Sequence, residues 1–404
     1  MSSRVFPTLL VLVLVAGMCL AWSPGYWAVF VAQAGILLVA ILWVATQKRI
    51  HPSREWMVAA LISFWGLLQI AAGQTISSWW TMRSSLTWIS AGMSFLVASQ
   101  ALRRHRYREL FLSGLLWSST ALAFLAIVQM YVDPRHVFGM FPAQPGSVGT
   151  FLYKNQFAAL LEIALPLALH QARYSRKTRY GAFAACAILL AAGVASVSRA
   201  GVILLVAELV LALLLAFRPK GLVFASLILA LGATIGGPKA LWDHFRDQEP
   251  YRVRHDLLQS TMRMAGDRPW FGYGMGTFPL AYPAYARFDA GVFVNAAHSD
   301  WAEWSAEGGF PLAVLLVVLL TMLSGRAVRS IWGIGVLAVA LHSLVDYPAR
   351  EPTIALTWFA IMGALTAATE SKARAADWEV RPARRLQNYV PAAPLPRPDR
   401  IVTG

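Results

Sequence analysis

The chain has 404 residues, 57% of them apolar and only 14% charged, with a mean hydropathy of +0.54. A soluble protein of this length carries nearer a quarter charged residues, so the composition excludes that class and suits a polytopic membrane protein. The formal net charge of +15, from 35 basic and 20 acidic residues, then reflects cytoplasmic loops and contact with anionic membrane lipids rather than nucleic-acid binding.

A helix crossing a bilayer needs about 20 apolar residues. Apolar runs between charged punctuation predict an all-α bundle of about twelve transmembrane helices, at 5–21, 26–46, 56–73, 84–101, 109–131, 150–170, 181–197, 200–217, 221–241, 299–323, 331–346 and 352–369. The first run follows Arg4 as a signal peptide would. Trp22 interrupts any small-residue cleavage pattern, however, and eleven spans follow, so a retained anchor is expected. Cys19 and Cys186 both lie in apolar runs, which argues against a disulfide framework or a cysteine metal site.

Basic residues set the orientation. With a cytoplasmic N-terminus, 23 of the 35 fall inside, among them Arg103, Arg104, Arg106 and Arg108 in one loop and Arg173, Arg176, Lys177 and Arg179 in another. That asymmetry follows the positive-inside rule and predicts that both termini are cytoplasmic. Residues 1–370 form the membrane domain, and 371–404, basic and rich in proline near 391–396, read as a disordered cytoplasmic tail.

The 12 outside basic residues cluster. Seven lie in or beside one long extracytoplasmic segment, about 242–298, between the ninth and tenth spans: Lys239, Arg246, Arg252, Arg254, Arg263, Arg268 and Arg287. A loop this long is commonly functional. Tyr251 to Met264 predicts a helix with Arg252 and Arg254 near its start, and Asp267-Arg268-Pro269 ends it. Gly272-Tyr-Gly-Met-Gly276 follows. On paper it resembles a phosphate cradle, but no strand precedes it and a plain turn is expected.

Arg199, in Ser198-Arg199-Ala200-Gly201, separates two apolar runs with no room for a proper loop. An arginine there is costly unless it faces a polar cavity or an anion, or snorkels to the headgroups. His298 opens the tenth span from outside. If the segment is one helix, Glu307 lies nine residues on, about 13 Å along the axis, too far for one substrate group to engage both. His342 and Asp346, four residues apart, would share a helical face. Arginine forks match phosphate oxygens, and a nearby imidazole can take a proton from an attacking hydroxyl. The combination suits transfer from a lipid diphosphate, with guanidinium groups doing what a metal ion would otherwise do. No Asp-x-Asp pair calls for a divalent cation.

These pieces resemble the O-antigen ligase and polymerase superfamily of bacterial envelope glycosyltransferases over about 149–365. The matching elements are Gly149-Thr150-Phe151 with Asn155-Gln156-Phe157-Ala158; Ser198-Arg199-Ala200-Gly201; Arg254 followed by Pro269 and the Gly272-to-Phe278 loop; His298 with Glu307-x-Gly309; and His342 with Asp346 and Pro352. The resemblance implies a GT-C-like bundle with one large periplasmic loop between spans nine and ten. It implies an undecaprenyl-diphosphate-linked glycan donor and lipid A core or a growing glycan as acceptor. It also implies metal-independent, cofactor-free transfer at the periplasmic face of the inner membrane. By the same resemblance Arg199 and Arg254 bind the diphosphate and His298 is the base. Arg252, Asn155, Lys154, Glu307, His342 and Asp346 are the accompanying substrate-binding candidates. The chain departs from the family's pattern at Ser299, where Asn is frequent, and at Tyr153-Lys154, where Asn-Arg is frequent. With Arg252 two residues from Arg254, either can be the diphosphate contact. Ligase and polymerase differ only in acceptor. The rival class, a transporter or flippase of a lipid-linked glycan, predicts an inverted repeat, and the sequence has no convincing one.

Overall fold

The computed structural model describes residues 4–47, 50, 52–216, 249–287, 291 and 293–387. The ninth predicted span, at 221–241, lies outside the described residues. The protein is helical throughout, 77% helix and 2% strand. In chain order the helices are α1 (Val5–Leu20), α2 (Tyr26–Thr46), α3 (Arg54–Ala71), α4 (Ser78–Ala101), α5 (His105–Val132), α6 (Lys154–Tyr174), α7 (Arg179–Ala195), α8 (Arg199–Ala216), α9 (Glu249–Asp267), the single turn α10 (Phe278–Ala281), α11 (Asp300–Arg329), α12 (Ile334–His342) and α13 (Pro352–Gln387). Between α5 and α6, His136–Val137 and Phe141–Pro142 pair as a small antiparallel hairpin.

Unlike a water-soluble bundle, the helices turn large apolar side chains outward as well as inward. Leu38, Ile41, Leu61, Phe64, Phe124, Val314 and Val317 are exposed, while Gln33, Ser63, Gln69, Ser85, Ser90, Ser94 and Ser119 are buried. In hydrocarbon, apolar side chains gain nothing by facing inward, so polar and small residues mark the helix interfaces. Among the described helices, Tyr26–Thr46, His105–Val132, Asp300–Arg329 and Pro352–Thr369 are each long and apolar enough to cross a membrane. Val5–Leu20, Arg179–Ala195 and Ile331–His342 are apolar but shorter. This is a helical membrane protein.

Two helices organise the packing. α6 is buried on all sides from Gln156 to Leu169 and touches α5, α7, α8 and α12. α13 lies along α4, where Gly363 lets the backbones close: a Cβ there would stand 2.4 Å from the Phe95 carbonyl oxygen. α13 continues to Gln387, past residue 370 where the tail is predicted to begin, because strong helix formers such as Ala, Glu, Lys and Arg carry the pattern on.

The tenth predicted span is two helices rather than one. Gly309 sits at φ 74°, ψ 171°, which breaks α11 after its first two turns. Only glycine reaches that conformation readily, and a Cβ there would also meet the Trp270 carbonyl at 2.6 Å. The carbonyls freed by the break are taken up across the bundle. Tyr273 N–H donates to Ala306 O, Gly274 N–H and the Gln69 side chain to Glu307 O, and Trp65 Nε1 to Gly308 O, all at 2.7–2.9 Å. The glycine-rich loop thus docks on the helix break. His298, just ahead of the N-cap Ser299, is outside the helix, so spacing along a single axis does not relate it to Glu307.

The eleventh predicted span is likewise shorter than expected. α12 ends at His342, and a turn of irregular backbone carries the chain to Asp346 before a 3-10 turn at Pro348–Arg350. The Asp346 N–H still bonds back to the His342 carbonyl at 3.0 Å, but the two side chains have different partners.

Candidate active site

Asp346 is the hub of the polar cluster at one end of the bundle. Arg254, on the second turn of α9, places Nη2 3.0 Å from Asp346 Oδ2 and aims Nη1 at the Val345 carbonyl, 3.4 Å away. Asn155, on the first turn of α6, donates its amide to the same Oδ2. The Tyr347 N–H donates to Oδ1 at 2.9 Å. His298 Nδ1 stands 3.7 Å from Oδ1, within ion-pair range but beyond a hydrogen bond. Four chain segments, separated by up to 191 residues, meet on one carboxylate.

The α7–α8 joint is locked to this hub. Ser198 Oγ accepts from the Gly201 N–H at 3.2 Å, capping α8. The same hydroxyl donates to Asn155 Oδ1 at 2.8 Å, so Ser198, Asn155 and Asp346 form a relay of hydrogen bonds. Arg199 follows the cap directly. Lys154 lies within electrostatic range of Arg199, Arg254 and Asp346. Burial works against ionisation of Asp346, but His298 and the Arg254 guanidinium outweigh it and hold the carboxyl below its ordinary range.

His298 is held in an uncommon way. Its φ of 54° is left-handed backbone, which costs a non-glycine residue on the order of 1–3 kcal/mol. Its ring packs edge-on against Tyr347 at 4.9 Å, and Tyr347 in turn packs against Tyr153 at 5.8 Å. The Asp346 carboxylate faces the Nδ1 side of the ring. About a third of the His298 and Arg254 side chains remains exposed, while Asp346 is almost wholly buried (33%, 34% and 3%). The His298 and Arg254 side chains are reachable from outside; the carboxylate they share is not.

The other candidates lie elsewhere. His342 is fully buried and places Nδ1 2.7 Å from Glu162 Oε1, inside the bundle. Glu307 turns both carboxylate oxygens into the glycine-rich loop, accepting from Gly276 N–H at 2.7 Å and Phe278 N–H at 2.8 Å. The loop therefore does have the form of an anion nest, and the protein's own carboxylate fills it. Arg252 is on the first turn of α9, and its side chain lies outside the described residues.

Sequence reading missed the neighbours of the cluster. A cavity of about 370 Å3 is lined by Gln33, Arg83, Trp88, Tyr153, Gln156 and Tyr347, together with Asp300, Glu303, Glu307 and Arg350. A polar Gln33 inside an otherwise apolar span was the signal available. No such signal marks Tyr347, whose role depends on contacts made only in the fold.

Residues 184–317 match a family model described as O-antigen ligase. The match supports the O-antigen ligase/polymerase superfamily for this chain. It covers Arg199, Arg254, His298 and Glu307, and it ends short of His342 and Asp346; Asn155 precedes it. The family implies a glycan-transferring ligase or polymerase, acting on lipid-linked glycan and acceptor substrates in a bacterial membrane. No curated protein matches the chain.

Proposed function

We propose that the protein is a twelve-span inner-membrane glycosyltransferase that moves a glycan from an undecaprenyl-diphosphate carrier to an acceptor hydroxyl at the periplasmic face. The observation that carries this reading is the convergence of Arg254 and His298 on Asp346, with Lys154 in electrostatic range of Asp346, Arg254 and Arg199. His298 Nε2 takes the proton of the acceptor hydroxyl as the oxygen bonds to the anomeric carbon. The bond from that carbon to the diphosphate oxygen breaks on the opposite face, with inversion, and the bonding pair leaves with the undecaprenyl diphosphate. Arg254 and Arg199 stabilise the charge that grows there, a task a guanidinium fork performs without proton exchange. Asp346 orients His298 and balances the imidazolium it becomes. Both termini are cytoplasmic in this reading, and the segment 242–298 forms the large periplasmic loop.

The test is transfer of a lipid-linked glycan by the purified protein in EDTA. Wild-type protein is expected to turn over, and Arg199→Ala, Arg254→Ala and His298→Ala each to lower turnover by roughly a hundredfold or more. Wild-type activity in the triple variant would exclude the assignment. Uptake of lipid-linked glycan by proteoliposomes without transfer would instead place the protein among transporters.

A further inference from the structure

The cavity lined by Tyr347, the ring on which His298 packs, has a chemistry of its own. None of Lys154, Arg199 and Arg254 lines it. It carries three carboxylates, and each is already committed. Glu307 is bound by the two loop N–H groups. Glu303 pairs with Arg350 and accepts from the Ala297 N–H. Asp300 accepts from Ser343 Oγ and the Ala349 N–H at 2.9 Å.

Two glutamines point to what does fit. Gln33 and Gln156 line the cavity and are buried, at 1% and 5% exposure. Gln33 Nε2 donates to Thr87 Oγ1 at 2.7 Å, but Gln33 Oε1 and Gln156 Oε1 have no hydrogen-bond partner among the described residues. A buried carbonyl without a donor is expensive, and a hydroxyl group relieves it. Arg83 adds guanidinium donors; it is held 3.8 Å over the Tyr26 ring and 5.1 Å from that of Trp80. Trp80, Trp88, Tyr153 and Tyr347 supply flat apolar faces of the kind that pack against a sugar ring. The volume is near the lower end of the roughly 300–1,000 Å3 typical of ligand sites, suited to a terminal sugar rather than to a chain.

We infer that this cavity, through Gln33, Gln156 and Arg83, binds an uncharged pyranose unit of the acceptor on the far side of Tyr347 from His298. The acceptor role rests on the transferase reading above; the saccharide site itself rests on the cavity alone.

The experiment uses the full chain in nanodiscs and two readouts. In saturation-transfer NMR with methyl glycosides of glucose, galactose, rhamnose and N-acetylglucosamine, at least one is expected to show ring-proton signals that weaken in Gln33→Leu and Gln156→Leu. In the transfer assay, each variant should raise the acceptor KM by about 3- to 10-fold, the worth of one neutral hydrogen bond. Donor KM and kcat should stay within about twofold. Arg83→Gln, at the partly exposed rim, should act in the same direction and serves if a glutamine variant fails to fold. An unchanged acceptor KM in all three variants overturns the inference and leaves the transferase reading standing, as does a rise in donor KM alone. Glutamine-dependent glycoside binding without any transfer in wild type upholds the saccharide site and removes the transferase reading. Absence of glycoside signals together with an unchanged acceptor KM overturns the site altogether.

Discussion

The segment from His342 to Asp346 carries two acid–imidazole pairs in contrasting settings. His342 meets Glu162 at 2.7 Å with both side chains fully buried between α6 and α12. His298 meets Asp346 at 3.7 Å with a third of the imidazole exposed, and Arg254 shares the same carboxylate. The components are alike, but only the second pair lies where a substrate can reach it and where positive charge gathers. Closeness of an acid and a base marks a stable interior pair as readily as a reactive one, and access separates them.

The contrast can be tested from its strongest side first. His298→Ala and Arg254→Ala should each lower the transfer rate by roughly 10²- to 10⁴-fold, the range for losing a positioned base or a charge-stabilising donor. Glu162→Leu combined with His342→Leu should leave the rate within about tenfold, because an apolar pair of similar volume can replace a buried, mutually satisfied polar pair. If the interior double variant is as inactive as the first two, the distinction fails.

Asp346→Asn keeps the shape of the hub and removes its charge, and a loss of about 10²-fold or more is expected in single-turnover rates. The pH dependence sharpens this. Because the folded-state pKa of Asp346 is depressed, its contribution is present above its unfolded value, near 3.9, and is lost only as pH falls through the lower folded value. The contacts with Arg254 and His298 should therefore survive to about pH 4, a point that titration of the carboxyl carbon by NMR would check.

Breaking the interior pair should show in stability instead. Glu162→Ala leaves His342 buried without its partner and should cost about 3–5 kcal/mol, read as a fall in melting temperature in detergent. A stability loss no larger than that of an exposed substitution would refute the structural role given to this pair.

The smallest effect concerns Glu351, just before α13. Burial pushes its carboxyl up to about 7, against hydrogen bonds from Thr353 that lower it. A raised carboxyl pKa stabilises the fold below the unfolded value, near 4.3, and that stability is lost as pH rises toward 7, by on the order of 1 kcal/mol per pH unit. Glu351→Gln should flatten the decline in melting temperature between pH 5 and 7. An unaltered slope would locate the pH dependence elsewhere.

Much of the helical plan is legible in the sequence because lipid imposes a simple rule on long apolar runs. The departures are local. Gly308-Gly309 followed by Pro311 marks the break in α11, but the run of apolar residues beyond it dominates a hydropathy reading. The end of α12 at His342 is hidden in the same way, since Leu344 and Val345 look like more span. At the site, Arg199, Arg254 and His298 announce themselves as charges at membrane boundaries. Asp346 as the point where Asn155, Arg254 and His298 meet is a property of tertiary contacts between segments far apart in the chain. The cavity glutamines come from α2 and α6, helices that only packing brings together.

The left-handed backbone of His298 carries an evolutionary implication. A residue held in a disfavoured conformation burdens the fold, and glycine would adopt φ 54° freely. His298→Gly should thus melt higher than wild type while transferring nothing, as measured by thermal denaturation beside the transfer assay. Drift toward thermostability alone would discard this imidazole, so retaining it demands selection for activity.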